Sequence, residues 1–434
     1  MHQHSPAWGR LFAQRGFRFL FAAMFISLFG TGMNFAGVTW YILEQTGSTV
    51  KVSLMVILVT LPGLVVPPFG GVLIDRVDRR YLGVALDVGR GILVLSAALL
   101  VWVGRAELWH IYALVALLGV GFAIYWSTMN ALLQELASPS ELMGANAAVL
   151  VAVQGGMMAA GAVVGFVYER SGLGGILAID GLTYLASALC LLGLRRGAFL
   201  PHRELEPPTI EAPPPVREVV LPPIVEPGVV TGFVADLKEG LHYLRGESRV
   251  LALGLTYACM MAGVISANVL VVALARDILN AGAIGYGWIE AGWALGAVTG
   301  GLVSGPLAQR YRPLPVLLVA LAVLAVGHAL FPYVRWLALA VVTNAVFGGC
   351  RALGGVLTQT SIMRVVPRRL MGRTQSAFSV ISTLLQVAMS FSLGWLAQRV
   401  NLPAAFVVLG VLYGGAFLAA LRARALAATR LSAP

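Results

Sequence analysis

Apolar residues run along this chain in blocks of about twenty, with most of the charged positions in the short segments between them. A helix rises about 1.5 Å per residue, so such a block crosses roughly 30 Å of hydrocarbon while satisfying every backbone N–H and C=O within itself. Applied along the chain, this rule predicts twelve spans. Six run approximately Phe17 to Leu43, Val50 to Ile74, Tyr81 to Val103, Leu108 to Asn130, Leu142 to Val167 and Gly174 to Gly193. The other six run approximately Val250 to Ala275, Gly285 to Ala308, Leu314 to Phe331, Val334 to Leu357, Met371 to Gln398 and Ala404 to Leu421.

One interval breaks the rhythm. Between Arg195 and about Thr231 lie nine prolines, among them Pro213, Pro214 and Pro215, interleaved with Glu204, Glu206, Glu211, Glu218 and Glu226, which reads as an exposed polyproline-biased linker. Beyond it, Phe233, Leu237, Leu241 and Leu244 recur at helical spacing beside Asp236, Lys238, Glu239 and Arg245, predicting a short amphipathic helix lying at the inner membrane surface. The chain therefore divides into a six-span bundle (1–194), a linker with its amphipathic helix (195–249) and a second six-span bundle (250–434). An internal repeat supports the division. Pro139, Leu142, Met143 and Gly144 before the fifth span recur as Pro367, Leu370, Met371 and Gly372 before the eleventh, and Gly71 to Arg76 after the second resembles Gly305 to Arg310 after the eighth.

With 59% hydrophobic and only 11% charged residues, the composition excludes a soluble enzyme, for which about 25% charged is usual. The net charge of +11 does not mark a nucleic-acid binder, because 22 of the 30 Lys and Arg fall in the segments on the linker side, where the positive-inside rule places the cytoplasm. Both termini are thus expected inside. Arg10, Arg15 and Arg18 lead into a block of spanning length with no cleavage site, so the first span is expected to be retained. Cys190, Cys259 and Cys350 lie inside apolar blocks at no metal-ligand spacing, and no Walker-type loop is present, so neither metal, cofactor nor ATP is expected.

The stretch Gly71-Val72-Leu73-Ile74-Asp75-Arg76-Val77-Asp78-Arg79-Arg80 resembles the G-x-L-x-D-R-x-x-R-R loop signature of the major facilitator superfamily, at the position between helices two and three where that family carries it. Phe17 to Leu20, Glu141 to Ala147, Asp236 to Arg245 and Val366 to Arg373 resemble the branch that contains macrolide-efflux and enterobactin-exporter proteins. The resemblance implies an all-α integral membrane fold of twelve transmembrane helices in two six-helix bundles, around a cavity that opens alternately to each side. It also implies a gating role for Gly71, Asp75, Arg76, Arg79, Arg80 and Asp87. Gly71 permits close helix approach, Asp75 can face the positive end of a neighbouring helix, and the arginines can pair with Asp78 or Asp87. The plain alternative is that the arginines only enforce orientation. Three features common in drug/proton antiporters of the family are missing: helix four has no arginine, Gly161 stands where a proline is frequent, and helix one has no carboxylate before Glu44.

Ionisable groups inside spans are costly and are functional candidates by default. Glu290, between Trp288 and Trp293, is the leading proton-coupling candidate, and Asp180 the second, with a structural role the alternative for each. Asp87 and Arg90 are one turn apart and are expected to pair with each other or with the loop, His328 is expected at the outer interface, and Arg351 either meets an anionic ligand or snorkels. Asn34, Tyr125, Trp126, Gln154, Met157, Met158, Asn268, Asn344, Gln386 and Met389, with Arg351, are the substrate-binding candidates on helices that line the cavity in the family; ordinary helix packing is the alternative for each. Methionine and aromatic walls adapt to varied shapes. The expectation is a monomeric, non-enzymatic secondary transporter of the bacterial inner membrane, exporting a hydrophobic or amphipathic compound such as a drug, macrolide or siderophore in exchange for protons. The alternatives are a lysophospholipid flippase and a transport-incompetent sensor or accessory subunit.

Overall fold

The computed structural model describes residues 11–66, 74, 77–138, 141–194 and 229–431, and among them the regular structure is helical throughout. The spans are α1 (Arg15–Thr46), α2 (Thr49–Thr60, running on through Pro62–Val65), α3 (Arg79–Trp102), α4 (Leu108–Leu136), α5 (142–171) and α6 (173–192). After the linker come α7 (Ser248–Ala273), α8 (Gly282–Arg310), α9 (Pro313–Leu330), α10 (Leu337–Val365), α11 (Met371–Arg399) and α12 (Leu402–Leu431). Helices α1 to α6 pack mainly on one another, as do α7 to α12, giving two six-helix bundles joined along two seams, α5 on α8 and α2 on α11.

The α5–α6 corner shows how a continuous apolar run becomes two spans. A single helix over Gly144–Leu192, 49 residues, would be about 73 Å long, more than twice the hydrocarbon thickness. Gly172 breaks it with φ 60° and ψ −161°, a conformation open to glycine but strained for a residue with a Cβ. The chain reverses there: along α5, Gly156 and Met157 meet Leu28 and Gly32 of α1, whereas along α6, Ile176 meets Gly37 and Asp180 meets the earlier Gly30.

Small residues set the closest approaches, because lipid offers apolar side chains no hydrophobic reason to associate and backbone proximity must supply the contact. Gly292, Gly296 and Gly300 of α8 present their Cα atoms at four-residue intervals to the α10 backbone; a Cβ on Gly292 would lie 2.7 Å from the Val341 carbonyl oxygen, and one on Gly296 would overlap Ala345. Gly161 has the same role in the α5–α8 seam, where a Cβ would lie 2.6 Å from the Ala291 nitrogen. This contact supplies a packing reason for glycine at position 161.

The amphipathic helix spans Val229–Gly246. Leu237, Leu241 and Leu244 do not face lipid; they join a cluster with Val250, Leu253, Ile362 and Phe378. Gly240 lets this helix lie against the Arg373 backbone, and Glu239 pairs with the Arg373 guanidinium. Its apolar stripe therefore covers the linker end of the second bundle instead of dipping into the membrane surface.

Candidate functional site

A cavity of about 310 Å³ lies between the bundles, lined by α1, α2, α4, α5 and α6 on one side and by α7, α8, α9, α10 and α12 on the other. Phe35, Met55, Phe122, Met157, Trp293 and Phe347 make it largely apolar. Of the sequence-predicted residues, the structure brings Asn34, Met157, Asn268, Asn344, Glu290 and Arg351 to this wall.

The polar groups in the wall differ in how far they are already committed. Asn344 donates from Nδ2 to the Ile289 carbonyl at 2.8 Å, and Asn268 turns back to Val264 O at 3.2 Å on its own helix. Asn34 donates to Asp180 Oδ2 at 2.6 Å. Glu290 has no hydrogen-bond or ion-pair partner among the described residues. Arg351 points Nη2 at the Met261 sulfur, 3.3 Å away, its Nε is buried without a partner, and no described carboxylate pairs with it. The cavity thus offers one acid and one cation whose strongest interactions are unfilled, within walls that lower the local dielectric.

Other predicted candidates lie elsewhere. Tyr125 is fully buried and covers one face of the Arg90 guanidinium, 4.2 Å from its carbon, and Trp126 stacks on Phe122 at 6.1 Å among the core residues of the first bundle. Gln154 and Gln386 are buried in helix contacts, Met389 packs against the main apolar core, and Met158 is half-buried off the cavity wall. Gly71, Asp75 and Arg76 lie outside the described residues. Arg79 pairs with Glu135 of α4, not with Asp78 or Asp87. Arg80 donates from Nε to Leu191 O at 3.0 Å and from Nη2 to Leu192 O, closing the last turn of α6, where unbonded carbonyls attract a cation. Asp78 is the N-cap of α3, accepting from Arg80 N at 2.9 Å. Asp87 sits a further two turns along α3, fully buried against Arg90, and makes no contact with the loop arginines among the described residues.

Sequence reasoning missed several wall residues: Thr31, Tyr184, His328, Phe347 and Tyr413. His328 is not interfacial. It is 4% exposed and stacks on Phe347 and Tyr413 at 4.0 and 4.9 Å, with Nδ1 2.8 Å from Leu324 O. Tyr184 had a legible signal, because it follows Asp180 by four residues on the same face of α6. The aromatic stack around His328 had none, since it joins side chains of three helices, α9, α10 and α12, whose mutual rotation only packing sets.

One end of the space between the bundles is bridged by hydrogen bonds. At the end away from the linker, Ser48 Oγ donates to Gln398 Oε1 at 2.7 Å, Thr49 Oγ1 to Gly394 O at 2.7 Å and Ser53 Oγ to Ser390 O at 2.7 Å, binding α2 to α11. Arg276 Nη1 donates to Leu43 O at 2.8 Å, and Trp40 stacks on Tyr286 at 5.9 Å. Val50 N also donates to Gln398 Oε1 at 3.3 Å, and among the described residues every hydrogen bond between the two bundles that involves a side chain belongs to this set.

Comparisons with known proteins agree with this architecture. The family model of the Major Facilitator Superfamily matches residues 20–274 and 251–433. The chain is 25% identical over 411 residues to the uncharacterized MFS-type transporter YfiS of Bacillus subtilis strain 168, covering 92% of this chain and 91% of that one. It is 29% identical over 360 residues to the enterobactin exporter EntS of Escherichia coli O6:K15:H31, covering 82% and 79%. The crystal structure of the nucleoside transporter NupG superimposes with a TM-score of 0.70 at 11% identity over 94% of this chain and 98% of that one, a likeness of fold. A two-bundle helical fold around a central cavity, with the family model matched from end to end, makes this multi-pass membrane protein a transporter belonging to the major facilitator superfamily.

Proposed function

We propose that the protein exports a hydrophobic or amphipathic compound across the bacterial inner membrane by alternating access, in exchange for protons, with the linker end in the cytoplasm. The observation that carries the reading is Glu290, a carboxyl group without a partner among the described residues in the wall of a largely apolar cavity between the bundles. An acid placed there can hold a proton when the substrate is absent and release it when a substrate competes for the same wall. The cavity suits a bulky apolar body with a few polar contacts, and similarity to an enterobactin exporter supports the export direction. The hydrogen bonds that join the bundles at the far end correspond on this reading to a cavity closed to the outside.

Reconstitution into liposomes with an imposed pH gradient tests it, using a panel of lipophilic dyes, macrolides and labelled lysolipids. Gradient-driven movement of at least one dye or macrolide, lost in Glu290→Gln, is the expected result; movement that ignores the gradient refutes antiport. A second reading, lysophospholipid flipping, has its own support in Arg351, a cation in an apolar cavity suited to a phosphate group. Gradient-independent movement of the lysolipids alone, abolished in Arg351→Gln, would select it.

A further inference from the structure

The core of the first bundle encloses a charge cluster that the cavity chemistry above does not use. Asp87 and Arg90 of α3 and Asp180 of α6 are buried together, two carboxyl groups against one guanidinium. Arg90 is largely committed to Asp87: its Nη2 donates to Asp87 Oδ1, its Nε leans on Leu86 O at 3.4 Å, and the rings of Tyr125 and Tyr184 cover its two faces at 4.2 and 4.3 Å. Asp87 Oδ2 accepts from Ser187 Oγ at 2.6 Å, so both of its oxygens have donors. Asp180 is different. Its Oδ2 accepts from Asn34, but its Oδ1 is buried with no partner, pressed toward Gly30 where a Cβ would lie 2.5 Å away. The adjacent hydroxyl, Thr183 Oγ1, is turned to the Asp180 backbone carbonyl at 2.7 Å.

An anionic oxygen sealed from water without a donor is far more costly than a neutral hydroxyl in the same place. We propose that the Asp87–Arg90–Asp180 cluster is a proton-binding site that takes up one proton on Asp180, and that the Asn34 amide transmits its occupancy to the central cavity. The charge count carries the first half: with one proton the cluster is neutral, and without it the net charge is −1. Asn34 carries the second half, because it both contacts Asp180 and lines the cavity. When Asp180 is anionic, Asn34 Nδ2 is held as its donor. When Asp180 is protonated, its O–H becomes the donor, the amide turns over so that Oδ1 accepts, and Nδ2 is presented to the cavity. Thr31 Oγ1 and Tyr184 OH lie 3.0 Å apart in the cavity wall, about one turn from Asn34 on α1 and from Asp180 on α6. The titratable and charged groups around Asp180 are Asp87 and Arg90 from α3 and Tyr184 from α6, with Tyr125 of α4 on the far side of the cluster against Arg90; α1 contributes the neutral Asn34 and Thr31. The consequence for transport rests on the cavity being the substrate site, but the proton site itself does not.

Infrared difference spectroscopy on the full chain in lipid nanodiscs tests the proposal, in a Glu290→Gln background at pH 7, where exposed carboxyl groups are ionised. A protonated-carboxyl C=O band is expected, and it should be lost in Asp180→Asn. It should also be lost in Asp87→Asn, because one acid facing one guanidinium is neutral without a proton, although Asp180 is intact. That second variant keeps the test alive if Asp180→Asn does not fold. A band that survives either substitution overturns the site. The Asn34 amide band, assigned by its loss in Asn34→Leu, should shift with the same pH midpoint as the carboxyl band; an amide band that stays fixed overturns the relay. Wild-type protein that moves no substrate down a pH gradient would sink the proposed antiport while leaving this site standing.

Discussion

Replacing the three hydroxyls that bind α2 to α11 tests whether that seam holds the cavity closed. The triple variant Ser48→Ala, Thr49→Val, Ser53→Ala removes the bonds to Gln398, Gly394 and Ser390, each 2.7 Å long and each joining one bundle to the other. Hydrogen bonds between membrane helices are worth about 0.6 kcal/mol on average and at most about 1.7. Three of them therefore bias the equilibrium by about 1.8 kcal/mol, or roughly 20-fold in the ratio of closed to open states. A wild-type population about 5% open at this end would become about half open. Spin labels at Lys51→Cys and Val400→Cys, both exposed beside the seam, report the separation by double electron–electron resonance. As a control, Ser96→Ala removes a hydroxyl bonded within its own helix to Ile92 O at 2.8 Å and should leave the distribution unchanged. A triple variant whose distance distribution matches the wild type within twofold in population would refute the assignment of these bonds to a gate.

Four further outcomes follow from the same contacts. Glu290→Gln should abolish pH-gradient-driven transport while leaving dye binding within about threefold, checked by flux and by Trp293 quenching; unchanged flux removes Glu290 from coupling. Gly296→Ala should lower thermal stability by about 1–3 kcal/mol despite the better helix former, because its Cβ overlaps the Ala345 backbone, whereas Gly89→Ala, with open space around it, should be neutral or stabilising by up to about 1 kcal/mol. Arg90→Met should cost about 3–5 kcal/mol by leaving Asp87 buried without its cation, and adding Asp87→Leu should recover much of the loss in melting experiments. Glu239→Ala breaks an exposed pair with Arg373 and should change stability by less than about 1 kcal/mol.

Much of the fold is legible in one dimension because the bilayer imposes a local rule. Any stretch of sufficient length and apolarity must become a helix or stay out of the hydrocarbon, so the blocks beginning near Phe17, Tyr81 or Leu314 announce spans whatever their neighbours do. The sequence signal is weakest where helix identity depends on packing. The rows Gly292, Gly296, Gly300 and Gly161, Gly165 were visible as residues, but their partners in α10 and α8 were not. The amphipathic stripe Leu237, Leu241 and Leu244 likewise predicts something apolar on one face without saying whether it is lipid or, as found, the second bundle.

The candidate site divides along the same line. Hydropathy by itself determined that Asp87, Arg90, Asp180, Glu290 and Arg351 lie within spans, because a charge inside an apolar block stands out wherever the helix goes. Only the tertiary structure decided which of them are neutralised and which are exposed to the cavity. Asp180 meets Asn34 across 146 residues and Arg351 meets no described acid. Tyr125 covers Arg90 instead of facing the cavity, and His328 joins an aromatic stack that does. The physical reason is that burial in a membrane is a property of a residue's own segment, whereas satisfaction of a charge depends on what the other helices bring within about 3 Å of it.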